Sequence, residues 1–346
     1  MIKAGVIGYG LGGMAFHAPL IDAAPGLELA AIATSRVDSV RERYPDVTVT
    51  STEALIADPS IALVAISTPN DTHFPLAKAA LEAGKHVVID KPFATSVADA
   101  VALDALAREK KLVLAAFHNR RWDGDFLTIR EVLASAVLGD VMLAELRWDR
   151  FRPEIADIWK EREESGAGIL NDLGPHLIDQ AIQLFGVPES IATDVLIQRP
   201  GAQTDDYFEL TFHYGVRRVV VSASRMVTRA RPRFAIHGSK GSFVKHGLDP
   251  QEMQMKEGMR PGTAGFGEEP VAQRGSIYLA NGTVEIVPTR PGDYRNFYAG
   301  MAAAITEGTP PPVTPADAIL GLKIIELARK NTGQGCVRIN APLVGE

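Results

Sequence analysis

Three groups of residues in this 346-residue chain have types and spacings that could do chemistry. The first is Gly8-Tyr9-Gly10-Leu11-Gly12-Gly13, which fits G-x-G-x-x-G between an apolar run and a helix candidate. There the first glycine allows a tight turn, the second lets backbone approach a pyrophosphate, and the third lets helix and strand pack closely. The helix start then offers N–H groups to an anion. The segment reads as a dinucleotide-binding turn, with a plain strand-to-helix turn as the alternative. The second group is Asp90-Lys91-Pro92, at the end of the apolar run His86–Ile89. A lysine there can bind a substrate hydroxyl and stabilise negative charge on its oxygen. Spacing alone leaves a surface lysine equally open. The third is Asn171-Asp172-Leu173-Gly174-Pro175-His176. Residues i and i+4 share a helix face, so Asp172 and His176 would meet there. A carboxylate beside an imidazole orients it and tunes its proton affinity. A capping Asp172 and a buried, hydrogen-bonded His176 is the plainer alternative.

Cofactor choice turns on the end of the second strand. An NAD site places Asp or Glu there, on the ribose 2′-hydroxyl. This chain has Thr34-Ser35-Arg36, a hydroxyl pair and a guanidinium that suits a 2′-phosphate. NADP is therefore expected, with NAD as the alternative should Asp38 swing inward. Ser67-Thr68-Pro69-Asn70 follows another apolar run, at the sheet edge where ligands bind in such folds.

These groups need a frame. Short apolar runs (Ile2–Ile7, Leu27–Ala33, Ala62–Ile66, His86–Ile89, Leu112–Phe117) alternate with helix candidates (Met14–Ala23, Asp38–Tyr44, Thr72–Ala83, Val97–Lys110). That alternation predicts βαβ units on a parallel sheet. After residue 120 strand-like segments follow one another, which favours an antiparallel sheet. Helices are expected over Asp123–Leu133, Leu173–Phe185, Tyr294–Glu307 and Pro315–Lys330. Pro175 is tolerated in a first turn, so its helix should begin near Asp172–Gly174. The predicted fold class is α/β: an N-terminal Rossmann domain over 1–120, then a C-terminal α+β domain over 121–346 with an open, mostly antiparallel sheet. Length agrees, since one core stops growing beyond roughly 250–300 residues.

Composition removes other classes. A net charge of −6 makes the chain a poor candidate for binding nucleic acid, which calls for a clustered basic surface. The single cysteine, Cys336, excludes an intrachain disulfide and a Cys-rich metal site, and it fits a cytoplasmic setting. No apolar stretch approaches the ~18 residues of a membrane span. The eight histidines show no H-E-x-x-H or similar spacing, so no metal is expected.

With these pieces assembled, the sequence resembles the Gfo/Idh/MocA oxidoreductases along essentially its whole length. The resemblance rests on Gly8–Gly13, Ser67-Thr68-Pro69-Asn70, Gly84-Lys85-His86-Val87 with Asp90-Lys91-Pro92, Leu173-Gly174-Pro175-His176, and the strand-turn-strand from Phe234 to Phe243. A narrower likeness is to the NADP-dependent scyllo-inositol dehydrogenases. It is carried by Phe16-His17-Ala18-Pro19-Leu20 after the glycine turn, by Thr34-Ser35-Arg36, by Phe117 to Asp123 and by Leu173 to Gln180.

The resemblance implies hydride transfer between NADP(H) and a ring hydroxyl or ketone of a cyclic polyol or sugar. His176 would be general base, Lys91 would polarise the reacting oxygen, and Asp172 would bind a neighbouring hydroxyl and orient His176. Cofactor contacts would come from Gly8, Gly10, Leu11, Gly12, Gly13, Thr34, Ser35, Arg36, Thr68, Pro69, Asn70, His73, Asp90, Lys91 and Asn119. Asn119, Arg120, Arg152 and Trp159 would add to the substrate pocket. Subunits would pair through the outer face of the large sheet, as homodimers or homotetramers. Asp90 stands where the family usually has Glu. Its side chain is shorter by a methylene, so its polar interaction should be missing or bridged by water. Two other functions fit the scaffold: a dinucleotide-binding regulator without turnover, and an NAD-dependent glycosidase that recycles its cofactor. The intact Lys91, Asp172 and His176 speak against the first, and Ser35-Arg36 against the second.

Overall fold

The computed structural model describes residues 1–158, 161–162 and 166–339, and the elements counted below are those among the described residues. The chain sorts into two compact units. The first comprises Met1–Trp122, Pro250–Gly267 and Asp293–Ile319. The second comprises Asp123–Asp249, Glu268–Gly292 and the chain from Leu320.

The first unit holds six strands: β1 (Ile2–Ile7), β2 (Leu27–Ala33), β3 (Thr48–Thr50), β4 (Leu63–Ile66), β5 (His86–Ile89) and β6 (Leu114–Ala116). Their order is β3-β2-β1-β4-β5-β6, and every pairing is parallel. The order reverses direction after β1, which makes the carboxyl edge of β1 and β4 a topological switch point. Apart from the edge strand β3, the strands are short runs rich in Val, Ile, Leu and Ala and largely buried on both faces, as helices on both sides of a parallel sheet require. Ser96 accepts a hydrogen bond from Asp99 N–H at 3.1 Å and starts the helix Val97–Lys110 where the sequence predicts it. Among the elements that escape the sequence pattern are β3, the helix Thr52–Ala57 capped by Ser51, and the helix Gln251–Lys256. Each is too short to show a period.

The sequence predicts the second domain as one stretch from 121 to 346. Instead 250–267 and 293–319 fold with the first unit. The ties are buried: the Gln251 side chain donates to the Trp122 carbonyl at 3.1 Å and accepts from Tyr294 N–H at 2.8 Å. Phe297 packs edge-on against Phe117, ring centroids 4.9 Å apart.

The second unit is built on a nine-stranded sheet among the described residues. Its strands are β7 (Val141–Arg147), β8 (Ser190–Leu196), β9 (Tyr207–Tyr214), β10 (Arg217–Ser224), β11 (Phe234–Gly238), β12 (Gly241–Lys245), β13 (Gly275–Leu279), β14 (Val284–Val287) and β15 (Cys336–Arg338). The order is β14-β13-β12-β11-β7-β10-β9-β8-β15; β7 and β10 pair parallel, and the rest are antiparallel. Phe208, Leu210 and Phe212 alternate along β9 toward the core, while Tyr207, Glu209 and Thr211 face the other way. The inner face packs on the helix Ile169–Phe185 through Leu170, Leu173, Leu177 and Ile178.

That helix starts at Ile169, before the turn predicted from Pro175, which now sits in its interior. A proline there forfeits the bond to the Asn171 carbonyl and costs about 3 kcal/mol. Burying each Leu or Ile of the stripe returns about 1.5–3 kcal/mol, so two of the four offset it. The first turn is also held from outside. The Asp205 carbonyl and carboxylate accept from Ile169 and Leu170 N–H at 2.8 and 2.7 Å, which is why Asp172 is not the cap.

Candidate functional site

The glycine turn begins where β1 ends. Gly8 has φ +94°, a left-handed conformation that demands glycine. Gly12 faces the ends of β4 and β5: a Cβ on it would lie 2.2 Å from Ser67 Oγ and 2.6 Å from Asp90 Oδ2. Gly10 differs, because a Cβ there would meet no atom within 4 Å. The open backbone at Gly10 fits a pyrophosphate. In the loop after β4, the buried Asn70 amide nitrogen has no hydrogen-bond partner among the described residues, so it has a donor to offer. These residues suit the dinucleotide that the motif implies. At the end of β2, Thr34 Oγ1 accepts from Arg36 N–H at 3.1 Å, and the Arg36 side chain is exposed beyond the strand.

Lys91 lies two residues beyond β5, at the carboxyl edge that also carries the glycine turn and Ser67–Asn70. The residue before it departs from expectation. The Asp90 carboxylate is bonded directly on both oxygens: Oδ1 accepts from Lys91 N–H at 2.8 Å and Oδ2 from the Ser67 hydroxyl at 3.0 Å. The missing methylene is made up by neighbours that come to the acid, and Gly12 leaves them room. Burial works to raise the Asp90 pKa. The hydrogen bond and charge of His17, the charge of His73 and the Lys91 N–H outweigh it and hold the carboxyl well below the usual range.

Two further residues of the expected site are bonded inside this unit. His73 is buried, and both ring nitrogens face backbone carbonyls, Pro92 at 2.8 Å and Thr68 at 3.0 Å. It ties the β4 and β5 loops together. The Arg120 guanidinium is likewise used inside the unit, on the Tyr294 hydroxyl at 3.1 Å and in an ion pair with Glu252. Asn119 is buried beside it in the chain.

In the second unit the helix Ile169–Phe185 sets Asp172, His176 and Gln180 four residues apart, on one face. Asp172 Oδ2 lies 3.9 Å from Arg150 Nη1. The His176 ring stands 6.1 Å, centroid to centroid, from Trp148 at the end of β7. Arg150 and Arg233 lie over the Trp148 ring at 5.6 and 5.4 Å, and Arg233 donates to the Gln180 side chain at 2.6 Å. Cation–π contacts of this kind hold an indole in place. Arg152 is exposed, its N–H bonded to the Arg225 carbonyl at 2.7 Å. Trp159 lies outside the described residues.

Sequence reasoning missed the residues that hold these groups. Asp205 fixes the helix start and is itself paired with Arg329 at 2.7 Å. Below Arg152 lies a buried charge cluster. Arg199 binds Asp206 at 2.8 Å and Glu161 at 2.6 Å, Arg225 pairs with the other Glu161 oxygen, and Arg199 donates to the carbonyls of Arg152 and Glu154. Glu161 is 38 and 64 residues from its two arginines, so no spacing rule could join them. The Asp205-Asp206 doublet before β9 is the visible signal in the sequence.

Comparison with known proteins divides the chain linearly, with 250–267 and 293–319 inside the C-terminal match. Residues 2–118 match the family described as "Oxidoreductase family, NAD-binding Rossmann fold", and residues 130–337 match its "C-terminal alpha/beta domain". The oxidoreductase YdgJ of Escherichia coli, whose function is uncharacterized, is 47% identical across 94% of this chain and 95% of its own. The scyllo-inositol 2-dehydrogenase (NADP(+)) IolW of Bacillus subtilis is 37% identical across 96% of this chain and 94% of its own. Among solved structures, the oxidoreductase yvaA of Bacillus subtilis superposes with a TM-score of 0.95 at 36% identity, covering 98% of each chain.

Proposed function

Because the chain belongs to the Gfo/Idh/MocA oxidoreductase family, with an NAD-binding Rossmann domain, we propose that it is an NADP(H)-dependent dehydrogenase of a cyclic polyol or sugar, scyllo-inositol-like in its substrate. The observation that carries the reading is Lys91. It leaves β5 at the edge that holds the glycine turn, and that turn is open at Gly10. The absence of an acid at the end of β2, with Arg36 in its place, favours NADP. The 37% identity to an NADP-dependent inositol dehydrogenase supports both substrate and cofactor.

Gly8, Gly10, Leu11, Gly12, Gly13, Thr68, Pro69, Asn70 and Asn119 would hold the dinucleotide, and Thr34, Ser35 and Arg36 its 2′-phosphate. Bound NADP(H) supplies the acceptor or donor of hydride at the carbinol carbon. The Lys91 ammonium donates to the reacting oxygen and stabilises the negative charge it gains. His176 takes the hydroxyl proton in oxidation and returns it in reduction. Asp172 binds an adjacent hydroxyl and orients the imidazole, with the Arg150 guanidinium beside that carboxylate. For subunit pairing, Tyr278, Val284 and Ile286 are exposed on the sheet face opposite the buried Phe243 and Ile277. That apolar strip favours a homodimer or homotetramer through this face.

The test is initial-rate formation of NADPH and NADH from a panel of inositols, pyranoses and sugar acids. Turnover of a ring polyol with NADP preferred is expected. Lys91→Ala and His176→Ala should each lose most turnover while still binding NADPH. Near-normal rates in both variants would refute the assigned roles. NADPH binding without turnover of any panel member would favour a regulator.

A further inference from the structure

Phe16-His17-Ala18-Pro19 has no part in the chemistry above, yet His17 is completely buried. It ends a π-wound turn, Gly13–His17, in which Ala18 N–H reaches back to the Gly13 carbonyl. Such turns recur at functional positions because the extra residue redirects a side chain. The imidazole packs on Phe117 with ring centroids 4.4 Å apart. Its Nδ1 lies 2.5 Å from the Tyr298 hydroxyl, and its Nε2 lies 3.4 Å from Asp90 Oδ2. The Tyr298 hydroxyl donates to Nδ1, and Nε2 faces the carboxylate within ion-pair distance but without hydrogen-bond geometry. Burial first, and the Asp90 charge second, push the Tyr298 phenol well above its ordinary pKa, so it keeps the proton it donates.

Asp90 Oδ1 accepts from Lys91 N–H, and Oδ2, the oxygen that His17 faces, accepts from the Ser67 hydroxyl. Gly12 closes against the same carboxylate oxygen. On the far side of Lys91, His73 holds the Pro92 carbonyl. The Lys91 backbone is thus gripped before and after, and the grip before it ends in an aromatic pocket of Phe117 and Tyr298. Apolar side chains would fill that pocket equally well, and replacing a buried polar pair by apolar groups of the same shape is close to neutral for folding. Stability therefore gives no reason for a His–Tyr pair there.

We propose that Tyr298 and His17 form a buried strut that fixes the Asp90 carboxylate, and through it Lys91, against the glycine turn. Both are positioning residues: neither needs to touch substrate. The effect on turnover rests on the reading of Lys91 given above, whereas the effect on the loop does not.

The experiment uses Tyr298→Phe, His17→Leu and His17→Gln in the full-length protein. Three quantities are read: kcat and KM, NADPH affinity, and amide hydrogen exchange of the 90–94 segment by mass spectrometry. In Tyr298→Phe and His17→Leu, kcat should fall roughly ten- to a hundredfold, the scale of a catalytic group misplaced by about 1 Å. KM and NADPH affinity should stay within about threefold, and exchange at 90–94 should speed up severalfold while distant helices are unchanged. His17→Gln, which keeps a donor and an acceptor, should recover much of the loss. An unchanged kcat with unchanged exchange would overturn the strut. So would faster exchange throughout the first unit, which would make the pair a fold element only. If the wild-type protein turned over nothing, the reading of Lys91 would fall, and the exchange data alone would decide the strut.

Discussion

Alanine at Gly10 should separate cofactor binding from folding. A Cβ at that position meets no atom within 4 Å, and Gly10 is not among the glycines at positive φ. Alanine is therefore compatible with the native backbone. By narrowing the unfolded ensemble it should stabilise by about 0.4–1 kcal/mol, which for a chain of this size moves the melting temperature upward by less than about 4 °C. Binding should change with the opposite sign. The new methyl would stand where the pyrophosphate must approach, and forcing a methyl into a packed contact costs about 1–3 kcal/mol. At 1.4 kcal/mol per tenfold, the NADPH dissociation constant should rise roughly 5- to 150-fold. The assay is a fluorescence titration of NADPH and a thermal scan on the same preparation. Gly12→Ala is the contrast, because its Cβ would collide with Ser67 Oγ and Asp90 Oδ2. It should lower both the melting temperature and the affinity. A Gly10→Ala protein that binds NADPH within twofold of wild type would refute the placing of the pyrophosphate. One that melts several degrees lower would refute the open space on which the reasoning stands.

Arg36→Glu should weaken NADP relative to NAD by roughly tenfold or more, since a charged hydrogen bond contributes about 1.5–3 kcal/mol; an unchanged ratio of dissociation constants would make Arg36 a surface residue. Glu161→Gln removes the one acid shared by buried Arg199 and Arg225. Breaking such a cluster costs about 3–5 kcal/mol, and a urea midpoint that barely moves would count against it. Asp205→Ala takes away the outside cap of the helix carrying Asp172 and His176, and should cost about 0.5–2 kcal/mol in the same assay; no loss would mean that the stripe alone holds the helix. Glu252 gives a pH signature. Burial would raise its pKa, but Arg120 and then Lys256 outweigh burial and bring it from 4.5 to about 2. A depressed folded-state pKa stabilises above the unfolded value and is lost as pH falls. The stability difference between wild type and Glu252→Gln should therefore be full above pH 4.5 and fade toward pH 2; a difference independent of pH would exclude the ion pair as its source.

The first unit was legible because a parallel sheet buries each strand on both faces. That makes β1, β2 and β5 continuous apolar runs with turns at their ends, and their limits are read from the sequence to the residue. Gly8 and the glycines after it are legible for a related reason: a left-handed φ and a close approach leave few residue types possible. The i, i+4 spacing of Asp172 and His176 needs only the helix period. Local rules failed where a distant partner decides. Pro175 argued for a later helix start, but Asp205 and the buried leucines moved it to Ile169. For His73 and Arg120, a histidine and an arginine beside a predicted site, only packing shows the bonds they make to Pro92, Thr68, Tyr294 and Glu252. The return of 250–267 and 293–319 to the first unit has no sequence period at all. By itself the sequence determined the buried strands of the parallel sheet, the glycine turn and the residue types able to do the chemistry, because those follow from side-chain pattern and backbone sterics over a few residues. The tertiary structure decided which polar atoms are left over for chemistry, because a buried donor or acceptor must find a partner and that partner can lie anywhere along the chain.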